Sequence, residues 1–237
     1  MNRFIKNIPN SITCLNLLGG VIAIIFATDG YEKIGSLEAW QWAAICIAVS
    51  AVADFLDGFS ARLLGAFSNL GKELDSLCDL VSFGVAPAII MFHLISQTPS
   101  APDWLKWTVL IIPIAGALRL AKFNIDTRQS SSFIGLPIPA NAIFWIGIAA
   151  ILSSSSGASL LYSPMIFTII VVIESWLMVS PLRLFSLKFK SFSWKGNEAR
   201  YLLISAAIIL VALLGVAGLA SLIIFYIILS TFPFTQK

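Results

Sequence analysis

The tightest constraint on this chain is a set of runs that are apolar on every side, such as residues 21–27, 166–173 and 204–214. A helix on the surface of a soluble protein keeps a polar face, and a barrel strand alternates apolar with polar residues, so neither pattern accounts for these runs. They require helices set in lipid or among other apolar helices. Charge agrees: only 11% of residues are charged, where a soluble domain carries about 25%. With about 20 residues per crossing, 237 residues leave room for roughly seven to nine spans and for no sizeable extramembrane domain. The expected fold is an all-α polytopic membrane bundle forming one domain over residues 1–237.

Apolar windows near 10–27, 37–62, 72–96, 104–124, 137–155, 161–182, 199–214 and 218–234 predict about eight transmembrane helices. Arg3 and Lys6 before an apolar run also suit a signal peptide. However, no small-residue cleavage site follows, and Asn10, Thr13 and Asn16 interrupt the run, so it is read as the first span. Thirteen Lys and Arg fall in one set of connections and two, Lys33 and Lys106, in the other. The positive-inside bias then puts both termini in the cytoplasm and Trp40, Trp42, Trp104, Trp107 and Tyr162 at the outer boundary. The connection 186–199 carries Lys188, Lys190 and Lys195 among Phe189, Phe192 and Trp194, which suits contact with an anionic inner leaflet or with substrate headgroups. Ser153 to Ser156 reads as an outer loop. Cys14, Cys46 and Cys78 lie singly, so neither zinc nor a disulfide framework is expected. No nucleic-acid partner is expected either.

Four acidic residues break the apolar pattern where it should be strictest. Asp54 and Asp57 lie in the cytoplasmic half of the second helix and Asp75 and Asp79 in that of the third, with Glu73 beside them. Spacings of three and four put each pair on one helical face, and a short connection over 59–70 makes the helices antiparallel neighbours. One Asp at mid-bilayer costs roughly 2.5–3.5 kcal/mol, so four approach about 10 kcal/mol before repulsion, less near the interface. A network with Arg62 and Lys72 leaves two cations against four or five acids. Oxygen ligands without His or Cys favour Mg²⁺ or Mn²⁺, and four carboxylates suit two ions, an arrangement known from phosphoryl displacement.

The segment Asp54–x2–Asp57–Gly58–x2–Ala61–Arg62–x8–Gly71–x3–Asp75–x3–Asp79 resembles the signature of the CDP-alcohol phosphatidyltransferase family at every position and interval. Pro9-Asn10 with Thr13 and Asn16, the run Val81 to Ala88, Leu118-Arg119-Leu120-Ala121-Lys122-Phe123-Asn124, and Phe133-x-Gly135-Leu136-Pro137-x-Pro139 resemble the branch of that family whose acceptor is serine. The resemblance covers roughly residues 8–182.

It implies a membrane enzyme in which L-serine displaces CMP from CDP-diacylglycerol, with glycerol 3-phosphate or inositol as other acceptors in the family. It implies that Asp54, Asp57, Asp75 and Asp79 hold two divalent metals and that Asp79 is also the general base. Gly58, Ala61 and Gly71 would give the CDP group clearance, unless these glycines serve close helix packing. Arg62 would pair with a phosphate. Asn10 and Thr13, with Asn16, would border the nucleotide pocket or bond between helices. Arg119, with Lys122, would bind serine's carboxylate or act as cytoplasmic anchors. A homodimer in an inner membrane, with membrane lipids as its surroundings and its site facing the cytoplasm, completes the expectation. Cation transport, the reading from another class, would need polar residues continuing outward beyond Ser82. His93, Cys78 and Glu174 receive no role.

Overall fold

The computed structural model describes residues 3–126, 132–154, 161, 163–187, 193–194 and 196–232, with side chains from residue 7 onward in the first helix and from residue 134 after the gap. Arg128, Ser155, Ser156, Tyr162, Lys188, Phe189, Lys190, Phe192, Lys195 and Lys237 lie outside the described residues. The fold is an all-α membrane bundle. In chain order its helices are α1 (Arg3–Ala27), α2 (Ala39–Leu64), α3 (Asn69–Ser96), α4 (Leu105–Ile125), α5 (Ile138–Ser153), α6 (Pro164–Val179), α7 (Glu198–Leu214) and α8 (Gly218–Ser230). Two small antiparallel ribbons, which the apolar windows do not reveal, join helix ends: β1 (Lys33–Ile34) with β2 (Leu37–Glu38), and β3 (Ser132–Ile134) with β4 (Arg183–Phe185).

Helices α1 to α4 are individually long and apolar enough to cross a membrane. A fifth such stretch, Glu198–Ser230, is interrupted where Gly215 takes φ 60° and ψ −143°. Gly218 then backs directly onto the Leu210 carbonyl, so α7 and α8 form a hairpin. Helices α5 and α6 have 16 residues each, rising about 24 Å against about 30 Å of hydrocarbon. Both are shorter than their apolar windows. The tryptophans also divide: Trp104 and Trp107 are exposed at the start of α4, whereas Trp40 is buried in the core, its Nε1 donating to Glu38.

Two local devices set the bundle's centre. Helix α1 is wedged between α2 and α3 at Gly19 and Gly20, and a Cβ on Gly20 would stand 2.8 Å from the Ser82 Cα. At the same level the Asn16 carbonyl accepts hydrogen bonds from Ser50 Oγ of α2 at 3.0 Å and Ser82 Oγ of α3 at 2.9 Å. Helix α3 widens to π geometry over Leu80–Val85, just before Pro87, which has no N–H to give the Phe83 carbonyl. Asn141 of α5 supplies that donor at 3.0 Å and accepts from Trp145 Nε1 in turn. A freed backbone carbonyl in a membrane interior is thereby satisfied by a neighbouring helix.

Replacing Gly20 by Ala should force α1 and α3 apart and cost roughly 1–3 kcal/mol. Thermal unfolding in detergent checks this: Gly20→Ala should melt several degrees lower, while Gly58→Ala, whose Cβ meets nothing nearer than an Arg62 nitrogen at 3.7 Å, should melt with the unaltered protein.

Candidate active site

A tight corner brings the acidic faces of α2 and α3 together. Gly65 caps α2 in left-handed geometry at φ 59°, and Ser68 caps α3 by accepting the Gly71 N–H at 2.9 Å. The helices reach closer to the corner than the sequence suggests, so Arg62 and Gly71 are helical. Carboxylate oxygens of Asp54, Asp57 and Asp75 fall within 4.8 Å of one another. Asp79 lies outside this tightest group yet interacts with both Asp54 and Asp75. Its Oδ1 accepts from Asn16 Nδ2 at 3.1 Å, and the residue is 9% exposed.

No cation among the described residues offsets these charges in full. Among the described residues, neither Arg62 nor Lys72 forms an ion pair with them: Lys72 Nζ donates to the Asn124 carbonyl at 2.7 Å, and Arg62 is exposed with its guanidinium over Gly58. Arg119 of α4 is the cation whose charge acts on Asp79. Asp57 Oδ2 and Asp75 Oδ1 are buried without a hydrogen-bond partner. An all-oxygen donor set with buried, unpartnered oxygens and excess negative charge fits hard divalent cations, so the cluster can hold metal.

Beside the cluster lies a cleft of about 200 Å³, lined by Asn10, Thr13, Asp57, Gly58, Ala61, Gly71 and Asp75 among others. Sequence reasoning left the glycines between clearance and packing, and the two positions divide. A Cβ on Gly58 would make only ordinary contact with the Arg62 guanidinium at 3.7 Å, whereas one on Gly71 would crowd Asn10 Oδ1 at 2.9 Å and Ser68 Oγ at 3.0 Å. The bordering and interhelical roles of the α1 polar face also coexist: Asn10 and Thr13 line the cleft, and Asn16 bonds to α2 and α3.

A second cleft, of about 600 Å³, is walled by Arg119, Lys122, Ile134, Met178 and Ser180. Arg119 is 7% exposed, its Nε has no partner, and its guanidinium lies over the Phe123 ring. Lys122 is exposed and donates to the Val179 carbonyl at 3.3 Å. Gly135, at φ 75°, packs next to the cleft residue Met178, where a Cβ would collide with the Met178 carbonyl.

Residues 6–179 match the sequence profile of the CDP-alcohol phosphatidyltransferases. The chain belongs to the CDP-alcohol phosphatidyltransferase family. Its signature occupies the α2–α3 corner just described. Among curated relatives of this CDP-alcohol phosphatidyltransferase, a CDP-diacylglycerol–serine O-phosphatidyltransferase of Bacillus subtilis (strain 168) is 36% identical over 176 residues, covering 74% of this chain and 88% of its own. One of the same name from Mycobacterium leprae (strain TN) is 40% identical over 152 residues, 61% of this chain and 47% of its own. The chain thus spans about half the length of that mycobacterial relative. An archaetidylserine synthase of Methanothermobacter thermautotrophicus is 34% identical over 178 residues, covering 73% of this chain and 67% of its own.

Asn124 was in view only as the end of an α4 motif, and its contacts are specific. Its Nδ2 donates to Ser76 Oγ at 3.0 Å and Glu73 Oε2 at 3.4 Å, while its carbonyl takes the Lys72 ammonium. It therefore ties the first turns of α3, one residue from Asp75, to the end of α4. The available signal was a polar residue closing an apolar helix. Glu174 is buried away from the carboxylate cluster, its Oε1 without a partner. With Asn124→Ala, hydrogen exchange measured by mass spectrometry should quicken about fivefold in α3 near Lys72 to Ser76, as loss of about 1 kcal/mol of hydrogen bonding implies; exchange in α5 should stay unchanged.

Proposed function

We propose that this protein transfers the phosphatidyl group of CDP-diacylglycerol to L-serine and releases CMP. The observation that carries the reading is the conjunction of the carboxylate cluster, a cleft beside it bordered by Asn10, Thr13 and Gly58, and a buried Arg119 whose Nε has no hydrogen-bond partner. The names of the bacterial and archaeal relatives support serine as the acceptor.

Asp54, Asp57, Asp75 and Asp79 would hold two ions, Mg²⁺ or Mn²⁺. When bound, these supply Lewis-acid neutralisation of the diphosphate and of the departing CMP. Asn16 holds one oxygen of Asp79 in place, and this carboxylate would take the proton of the serine hydroxyl. As that proton leaves, the serine oxygen bonds to the lipid-side phosphorus and the bond to CMP's oxygen breaks. Gly58, flanked only by the movable Arg62 side chain, would with Ala61 let the CDP group approach the α2 backbone, and Arg62 would pair with a phosphate there. Asn10, Thr13 and Gly71 border the nucleotide. Arg119 receives serine's carboxylate; Lys122, engaged with the Val179 carbonyl, adds positive potential at the cleft mouth. A phosphorylated acceptor would want more cations than Arg119 and Lys122, the two that line this cleft among the described residues. Cation transport is disfavoured because α3 continues outward through buried Ile90, Met91 and Leu94. The reading has the protein working as a homodimer in an inner membrane, its site on the cytoplasmic face where the basic residues concentrate.

Purified protein with CDP-diacylglycerol and Mg²⁺ or Mn²⁺ should release CMP only when L-serine is present, and equal release with glycerol 3-phosphate alone would reassign the acceptor. Arg119→Gln should raise the KM for serine about 10- to 100-fold, the worth of a charged hydrogen bond, with the KM for the CDP-lipid little changed. In Asp79→Asn, kcat should drop by roughly 10²–10⁴.

A further inference from the structure

An apolar groove of about 370 Å³ runs outward from the carboxylate cluster. Its inner end is formed by Ala51 and Phe83, which stand one helical turn beyond Asp54 and Asp79 on the same faces of α2 and α3. The floor follows Ala48 and Ala44, and Trp40 lines the outer end with Val216 and Leu219 from the α7–α8 turn. Gln41 is the one polar side chain among its lining residues. Ile45 and Ile143 at its edges are exposed, so the groove opens sideways into the bilayer. From Ala51 to Trp40 helix α2 rises about 16 Å. One leaflet of hydrocarbon is about 15 Å deep, half of a roughly 30 Å core.

We propose that this groove seats one acyl chain of the CDP-linked lipid and that Trp40, Val216 and Leu219 at its outer end set the chain length accepted. The proposal rests on the lipid substrate assigned above. A lipid whose phosphates lie at Asp54 and Asp79 has its glycerol at the level of Ala51 and Phe83, where the groove begins. A chain leaving that point finds an apolar channel about as long as one leaflet is deep, entered from the side as a lipid must enter. Ala44 lies about 10 Å outward of Ala51, so a side chain enlarged there meets a long acyl chain and misses a short one.

The test compares dioctanoyl and dipalmitoyl CDP-diacylglycerol in the serine-dependent release of CMP. Ala44→Phe should lower kcat/KM about fivefold or more with the dipalmitoyl lipid, the factor that about 1 kcal/mol of overpacking produces, and leave the dioctanoyl lipid within about twofold. Val49→Phe, on an exposed face of α2 outside the groove, should change neither. Leu219→Ala, which lengthens the groove, should raise the rate with a 20-carbon lipid relative to the dipalmitoyl one. Equal losses with both lipids, or no loss with either, would overturn the proposal. Native mass spectrometry of bound dipalmitoyl CDP-diacylglycerol gives a readout without turnover: retention by the unaltered protein and Val49→Phe but not by Ala44→Phe supports the groove even if serine proves the wrong acceptor, and equal retention by all three refutes it.

Discussion

Four aspartates set against one another inside a membrane protein are the constraint to which the rest of the structure answers. Left alone they would repel one another and resist leaving water, and the cations among the described residues do not cancel them. The bundle instead holds them rigidly from both sides. Helix α1 clamps α2 and α3 through the Asn16 carbonyl and carries the amide that binds Asp79, while Asn124 holds the opposite edge of α3 from α4. Unfavourable proximity kept up by unrelated contacts is what a preorganised cation site requires.

The same contacts divide the site by task. On the α1 side, Asn10, Thr13 and the open flank of Gly58 leave room for a flat, polar group. On the α4 side, Arg119 lines a separate cleft, its buried Nε without a hydrogen-bond partner. Above, Ala51 and Phe83 begin an apolar channel. Polar nucleotide, small charged acceptor and acyl chain would therefore reach the carboxylates from three directions, and Asp79, buried between α1 and α4, lies where the first two meet.

Much of this was legible in the sequence because it depends on period and charge. Runs apolar all round required membrane helices, and the Asp spacings placed four carboxylates on facing surfaces. The Gly215 and Gly218 pair marked the α7–α8 hairpin. What escaped depends on contacts between segments distant along the chain. Nothing near Pro87 announces that Asn141 will satisfy the Phe83 carbonyl, so the π segment of α3 was not foreseen. Trp40 matches the composition of an interfacial belt yet lies buried, since burial is settled by neighbours rather than by residue type. Gly58 and Gly71 look alike in the motif, and only the approach of Asn10 to Gly71 distinguishes packing from clearance. The two ribbons are too short to carry a periodic signal.

The central claim is that these carboxylates are a divalent-metal site. Electron paramagnetic resonance of Mn²⁺ titrated into the purified protein measures it directly, without lipid or acceptor. The account predicts two bound ions per chain, with binding lost when Asp54, Asp57 and Asp75 are all replaced by Asn and the protein remains folded by circular dichroism. Equal Mn²⁺ binding by the unaltered protein and that triple variant, or no binding by the unaltered protein, would contradict it.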